Sequence, residues 1–289
     1  MSWKRWLWCK AGCSSGTFKW RLSFSRKRPV LLEFTREESI EATRTRHSMV
    51  FKLKTGVQKD GEIIVRSMEV ISNTGAYSAH GHSVCGNIGG QFSVLYPAPN
   101  LSYKATTVYI NLLIASAMRG YGIPQLTFAV ESHMDNIAQE MKWDPIEFRE
   151  KNLCKIGDYN SVNGFAIRSC GLPEIIAKGK SIIKWDEKRA LDKLVSGKYY
   201  GVGMALFSYF QSTFPHNVEL AGARIMMNEN GSATLFIGCA EIGQGTDTTM
   251  AQIAAEAIGI KAEQIKVIGS DTALSVLLIQ ALMHQDEPM

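Results

Sequence analysis

The hydrophobic and polar positions of this chain change period several times, and each change marks an element. Ala223-Arg-Ile-Met-Met-Asn228 and Ser232-Ala-Thr-Leu-Phe-Ile-Gly238 are β-rich runs split by Glu229-Asn-Gly231, a hairpin signature. Met250, Ile253, Ala254, Ala257 and Ile258 then recur at helical spacing as far as Gly259, which suits a helix C-cap. Glu241-Ile-Gly-Gln-Gly245 is therefore a glycine-rich turn from a strand into a helix N-terminus. Such a turn aims free backbone N–H groups and the positive end of the helix dipole at one point. Gly243 and Gly245 permit positive φ and close backbone approach, and Gln244 can both donate and accept. Spacing alone leaves two readings open, a polar-ligand site and a purely structural turn.

The rest of the chain mixes the two periods. Val30–Phe34 is a short buried-strand candidate, followed by Thr35-Arg-Glu-Glu38 as a capping-type turn. Met49–Lys54 alternates, a turn follows over Thr55–Gly61, and Glu62–Ser72 is a second strand, which together predict a hairpin. Asn73–Ser83 is a polar, small-residue loop with His80 and His82 at i and i+2; no acidic partner lies nearby, which favours a hydrogen-bonded loop over a metal site. Tyr103–Leu113 reads as a strand. Pro124 opens a helix on which Leu126, Val130, His133, Met134, Ile137 and Met141 trace one face. Arg119 stands just before that helix among small residues. A guanidinium fixed there can bind a phosphate or oxo group, or it can pair with a surface acid. Asp144-Pro145 is an N-cap and first helical position for a helix through Asn152; Leu172–Lys184 reads as a helix and Tyr199–Phe210 as a strand. Without a regular strand–helix–strand repeat, the fold class is α+β, with mixed sheets and packed helices.

Charge changes the picture at one end only. The chain's net +5 comes from residues 1–28, where eight Lys and Arg face no acid and four of the six tryptophans (Trp3, Trp6, Trp8, Trp20) are interleaved with them. The remaining residues hold twenty-four bases against twenty-seven acids, a body of −3. This leader has no helical or strand period and no signal-peptide core; it reads as non-homologous, with a nucleic-acid-binding tail as the alternative. No apolar run is long enough to span a bilayer, and six cysteines without a CxxC pair suit reduced thiols in a cytoplasmic protein.

Ala117-Met-Arg-Gly-Tyr-Gly-Ile-Pro-Gln125 and Glu241-Ile-Gly-Gln-Gly245 are preceded in order by Thr35–Glu38, Arg44-Thr-Arg-His47 and Ser72-Asn-Thr-Gly-Ala-Tyr77. Together these motifs resemble the molybdopterin-binding subunit of the xanthine dehydrogenase and aldehyde oxidase family, bacterial xanthine dehydrogenases above all. The resemblance implies a purine hydroxylase that takes its oxygen from water, with an aldehyde or another N-heterocycle as the alternative substrate. It implies molybdopterin as the cytosine dinucleotide, with molybdenum held through the pterin and by no side chain, and electrons leaving to [2Fe–2S] and FAD on partner subunits. On this chain Gln244 would hydrogen-bond an oxo ligand, and Arg119 and Gly120 would sit beside the metal and cofactor. The amides of Ile242, Gly243 and Gly245 would line the pterin, and Tyr121 would stack on the substrate ring. The implied organisation is a leader over 1–28, a first cofactor-binding domain over 29–200, the start of a second over 201–274, and a tail over 275–289.

The chain also departs from that family. Its Gly-Gly-Gly-Phe-Gly loop is not found ahead of Pro29, its glutamate base is absent, and Asp271-Thr272 does not continue into the expected Pro-Phe-Asp-Thr-Gly-Ala-Tyr-Ala-Ser. Yet codons permitted for Ser275 to Met289, read one base back, spell Cys-Pro-Phe-Asp-Thr-Gly-Ala-Tyr-Ala-Ser-Arg-Arg-Thr-Tyr. The expectation is a frameshifted, truncated reading whose product alone exposes apolar surface, aggregates, and hydroxylates no purine. Sequencing of the DNA through the codons of Asp271–Met289 should show that one base restores the motif and a long downstream frame. An unbroken reported frame followed by nothing similar would contradict it.

Overall fold

The computed structural model describes residues 33–160, 162, 164–190, 194–195, 197–209, 221–239, 241–269, 271 and 274. The leader over 1–28, most of the Val30–Phe34 strand candidate and the tail over 275–289 lie outside them. Two compact units divide the chain, one formed by residues 45–210 and the other by residues 1–44 with 211–289.

The 45–210 unit is built on a three-stranded sheet. β1 (Met49–Val57) and β2 (Ile63–Asn73) form the predicted antiparallel hairpin, and β3 (Asn100–Val108) runs parallel to β2. The parallel pairing needs a crossover, supplied by a helix over Gly81–Phe92 whose Val84, Cys85, Ile88 and Phe92 are buried. Sequence pattern missed this helix because glycines at 81, 86, 89 and 90 weaken helix propensity by about 1 kcal/mol each. A second long helix, Ile123–Met141, buries Ile123, Leu126, Val130, Met134 and Ala138, the face its spacing predicts. Asp144 caps the following helix, Pro145–Asn152, by accepting from the amides of Ile146 and Glu147 at 2.8 and 3.3 Å. Asn152 then pins the tip of the β1–β2 hairpin, accepting from the amide of Ile63 and donating to the carbonyl of Gly61, both at 2.9 Å.

Two strand expectations are corrected. The third strand ends at Val108 rather than Leu113, and Tyr199 closes only a two-residue strand, with no strand over 200–209. In that segment the amide of Leu206 is spent on the Glu131 carboxylate at 2.9 Å, and the Ser208 hydroxyl donates to Gln91 at 3.1 Å. The apolar alternation is real, but side chains rather than a neighbouring strand take up its polar groups.

The other unit carries the capped helix Arg36–Ala42, whose Thr35 and Glu38 form the capping box read from sequence. It also carries a second three-stranded sheet. β4 (Ala223–Met227) pairs antiparallel with β5 (Ala233–Ile237) as the hairpin predicts, and β6 (Ile265–Gly269) pairs parallel with β5. All five residues of β5 are buried: Ala233, Leu235 and Ile237 pack on Ala251, Ala254 and Ala255 of the helix Thr246–Ile258, which ends at Gly259 with φ 75°. Small helix residues let this helix approach the sheet closely. Small mixed sheets with packed helices make this an α+β fold.

One buried polar cluster ties the 45–210 unit together. The Glu131 carboxylate accepts from the Tyr96 hydroxyl (2.8 Å), Arg149 Nε (2.8 Å) and the Leu206 amide (2.9 Å). Arg149 is fully buried and also reaches Asp135 at 2.7 Å. Removing one partner of a buried ion pair leaves an uncompensated charge. Glu131→Ala should therefore lower stability by about 3 kcal/mol, the low end of the range because Asp135 remains. Urea unfolding followed by tryptophan fluorescence checks it, and an unchanged midpoint would refute the assignment.

Candidate functional site

Arg119, Gly120 and Tyr121 share one tight turn between Ala115 and the helix Ile123–Met141. Gly120, Tyr121 and Gly122 all have positive φ (90°, 42° and 94°). A Cβ on Gly122 would lie 2.7 Å from the Ile88 side chain, and one on Gly120 would lie 2.8 Å from Pro124. Both positions therefore require glycine on conformation and on space. Tyr121 is not glycine, and left-handed backbone at such a residue costs about 1–3 kcal/mol unless its surroundings hold it. Here they do: Asn87 Nδ2 donates to the Tyr121 carbonyl at 2.7 Å, and His80 Nδ1 lies 2.8 Å from the Tyr121 hydroxyl. Burial pushes that hydroxyl's pKa up and nearby Tyr209 adds to this, while a hydrogen bond with Ser83 acts the other way.

The same turn is braced from the opposite side. Arg46 donates to the Arg119 carbonyl at 2.7 Å and to Gln125 Oε1 at 3.4 Å, and Gln125 Nε2 donates to the His47 carbonyl at 3.0 Å. The two cationic residues of this turn thus have different work. Arg46 positions backbone, whereas the Arg119 guanidinium is exposed and makes no ion pair among the described residues. The surface-acid reading of Arg119 finds no partner there. Next to Gly120 opens a mostly apolar cleft of about 560 Å³ with Phe128, Phe207 and Tyr209 on its walls and Asp135 at its polar edge.

Ile242, Gly243, Gln244 and Gly245 share the second turn, in the other unit, and all are exposed. Gly243 and Gly245 have φ of 94° and 81°. The amides expected to be free are occupied by the turn's own side chains. One oxygen of Glu241 accepts from the amides of Gly243 (2.5 Å) and Gly245 (3.2 Å), and the other accepts from Asp247 (3.3 Å). Gln244 Oε1 accepts from the Ile242 amide at 2.7 Å while its Nε2 donates to the Thr246 hydroxyl at 2.5 Å. A carboxylate five residues ahead of a helix has found the convergent donors before any ligand. Desolvation opposes its ionisation, but the amides of Gly243, Gly245, Asp247 and Thr246 outweigh that and hold its pKa below the usual glutamate value. The held carboxylate also tests fit: these amides sit at the spacing of a small oxyanion.

Each turn gathers its own predicted residues. Sequence reading missed Glu241, His80, Asn87, Arg46 and Gln125 as the groups that hold them. All but Asn87 lie within the stretches singled out by pattern, but His80, Asn87, Arg46 and Gln125 find their partners 34 to 79 residues away, which leaves no local signal, whereas Glu241 serves amides two to six residues on. His80 serves as a hydrogen-bonded loop residue, as expected, and no cluster of three metal-ligating side chains occurs among the described residues.

Family models for the molybdopterin cofactor-binding domain match residues 20–153 and 178–277. A putative xanthine dehydrogenase molybdenum-binding subunit of Escherichia coli K12 is 44% identical over 243 residues, 84% of this chain and 32% of that protein. The nicotinate dehydrogenase large molybdopterin subunit of Eubacterium barkeri is 32% identical over 159 residues, 55% of this chain and 37% of that protein. The crystal structure of quinoline 2-oxidoreductase from Pseudomonas putida 86 superposes with a TM-score of 0.72 at 22% identity, over 88% of this chain and 34% of that one. That last likeness speaks to the fold alone. The chain spans about a third of the length of these relatives.

Because its folded-state pKa is depressed, Glu241 adds stability above its unfolded pKa, and that contribution is lost as pH falls through the folded value. Carboxyl resonances of labelled protein should show Glu241 titrating below the usual glutamate value. Amide exchange at Gly243 and Gly245 should quicken as it protonates. Titration at the ordinary glutamate value with unchanged exchange would show that the carboxylate does not cap this turn in solution.

Proposed function

The chain belongs to the molybdopterin cofactor-binding domain family, and on that premise we propose that it binds the molybdenum cofactor of a heterocycle hydroxylase. The observation that carries the reading is Arg119, an exposed guanidinium with no ion-pair partner among the described residues, on a turn whose strained backbone is pinned by Arg46, Asn87 and His80. A cation carried on a held backbone offsets negative charge on a bound oxyanion. Gln244 would hydrogen-bond an oxo ligand of the metal, and Gly120 would border the cofactor. The amides of Ile242, Gly243 and Gly245 would line the pterin once Glu241 and Gln244 release them. No side chain ligates the metal directly. When bound, that cofactor supplies the two-electron redox chemistry by which oxygen from water is placed on an electron-poor carbon.

We further propose that the cofactor is the cytosine dinucleotide form, that electrons pass to iron–sulfur and FAD subunits, and that the complex works in the cytoplasm. No described helix is long and apolar enough to cross a membrane. The domain arrangement read from sequence, 29–200 and 201–274, is retained as part of this proposal. The substrate is a purine, with the ring of Tyr121 against its face. A second reading, another N-heterocycle, is favoured by one observation: Asn87 or a neighbour stands where the resemblance places the substrate-binding arginine of eukaryotic purine enzymes, and Asn87 donates to the Tyr121 carbonyl. Dye reduction by the assembled complex with hypoxanthine against nicotinate separates the two.

The test of cofactor binding needs no turnover. The purified chain is incubated with molybdopterin and desalted, and retained pterin is measured by the fluorescence of its oxidised form. Wild type should retain pterin, and Arg119→Ala and Gln244→Ala should each weaken retention by about tenfold or more, the loss of one charge-assisted or buried hydrogen bond. Retention by neither wild type nor variants, or equal retention by all three, would overturn the reading.

A further inference from the structure

The cysteines fall outside the cofactor turns, and two of them meet. Cys154 follows the helix Pro145–Asn152, and Cys170 precedes the helix Leu172–Ile183. Between them the chain folds back as a small hairpin: Tyr159 pairs with Ala166 and Asn160 with Phe165. Its two limbs stay together toward the base, where the Ile167 amide donates to the Asp158 carbonyl and the Gly157 amide to the Ile167 carbonyl, both at 2.9 Å. At that base the Cys170 thiol donates to the Cys154 carbonyl at 3.8 Å. Both thiols are free; Cys154 is buried, while Cys170 is only partly covered.

We propose that Cys154 and Cys170 form a reversible disulfide that clasps the base of the 155–169 hairpin when the chain meets a low-molecular-weight disulfide such as oxidised glutathione. A disulfide needs its two Cα atoms within roughly 4.4–6.8 Å, and Cys170 Sγ already lies 3.8 Å from the Cys154 carbonyl oxygen. The difference in cover sets the order of events. The accessible Cys170 thiolate attacks one sulfur of oxidised glutathione, forming a mixed disulfide and expelling one glutathione thiolate. Cys154 Sγ then attacks Cys170 Sγ, loses its proton to water and expels the second glutathione. Two cysteine thiols are oxidised by two electrons, and one glutathione disulfide is reduced to two thiols. Burial, with Cys170 and Asp158 adding to it, pushes the Cys154 thiol up to about 12. This makes it a poor first nucleophile and leaves resolution to its contact with Cys170.

The test treats the folded chain with oxidised glutathione, blocks remaining thiols with N-ethylmaleimide and maps tryptic peptides by mass spectrometry. A Cys154–Cys170 cross-linked pair, lighter by two hydrogens than the separate peptides, is expected in wild type. Cys154→Ser should instead stop at a stable glutathione adduct on Cys170, and Cys170→Ser should leave Cys154 unmodified. A parallel sample in urea reports the pairing of unfolded chain. No reaction, a persistent glutathione adduct on wild-type Cys170, or the same mixture of cysteine pairs with and without urea would overturn the proposal.

Discussion

The buried Glu131 carboxylate is the constraint on which the 45–210 unit depends. Three donors from three separate stretches, Tyr96, Arg149 and the Leu206 backbone, meet on its two oxygens. A buried carboxylate is tolerable only when its lone pairs are filled and its charge is opposed, and both conditions are met here by groups far apart in sequence. The consequence reaches the Arg119 turn. Glu131 lies two turns into the helix that begins at Ile123, so fixing that carboxylate fixes the helix whose first residues follow Gly120–Gly122. The same carboxylate holds Leu206 and so sets the wall of the cleft beside Gly120 that Phe207 and Tyr209 complete.

The two glycine turns solve a similar problem in different ways. The Arg119 turn accepts backbone strain at Tyr121 and offsets it with specific partners, leaving one cation uncommitted. The Glu241–Gly245 turn lets its own glutamate and glutamine satisfy the convergent amides. In one case a guanidinium is left exposed and without an ion pair among the described residues; in the other the convergent amides are masked by an internal anion. An exposed carboxylate held by backbone amides alone is exchangeable, because water can take its place on either side at little cost.

Sequence pattern carried much of this fold. The two hairpins, the helices opened by Pro124 and Asp144-Pro145, the capping box at Thr35 and the helix end at Gly259 were legible because each rests on local chemistry within a few residues. The helix over 81–92 was not, since four glycines hide its apolar face, and the strand expected over 199–210 failed because Glu131 and Gln91 claim its polar groups. At the candidate site, Arg119, Gly243, Gln244 and Gly245 could be singled out from residue type and pattern, and Gly120, Tyr121 and Ile242 only through the family resemblance. That Asn87, His80 and Arg46 hold the first turn, or that Glu241 fills the second, depends on side-chain geometry that spacing does not encode.

The most direct measurement of the central claim is amide and carboxyl NMR of the labelled chain titrated with molybdopterin. If the glycine turns hold the cofactor, the Gly243 and Gly245 amide signals move at saturating ligand. The Glu241 carboxyl, freed from those amides, then returns toward its ordinary titration value. Binding of the pterin with Gly243, Gly245 and Glu241 all unmoved would contradict it.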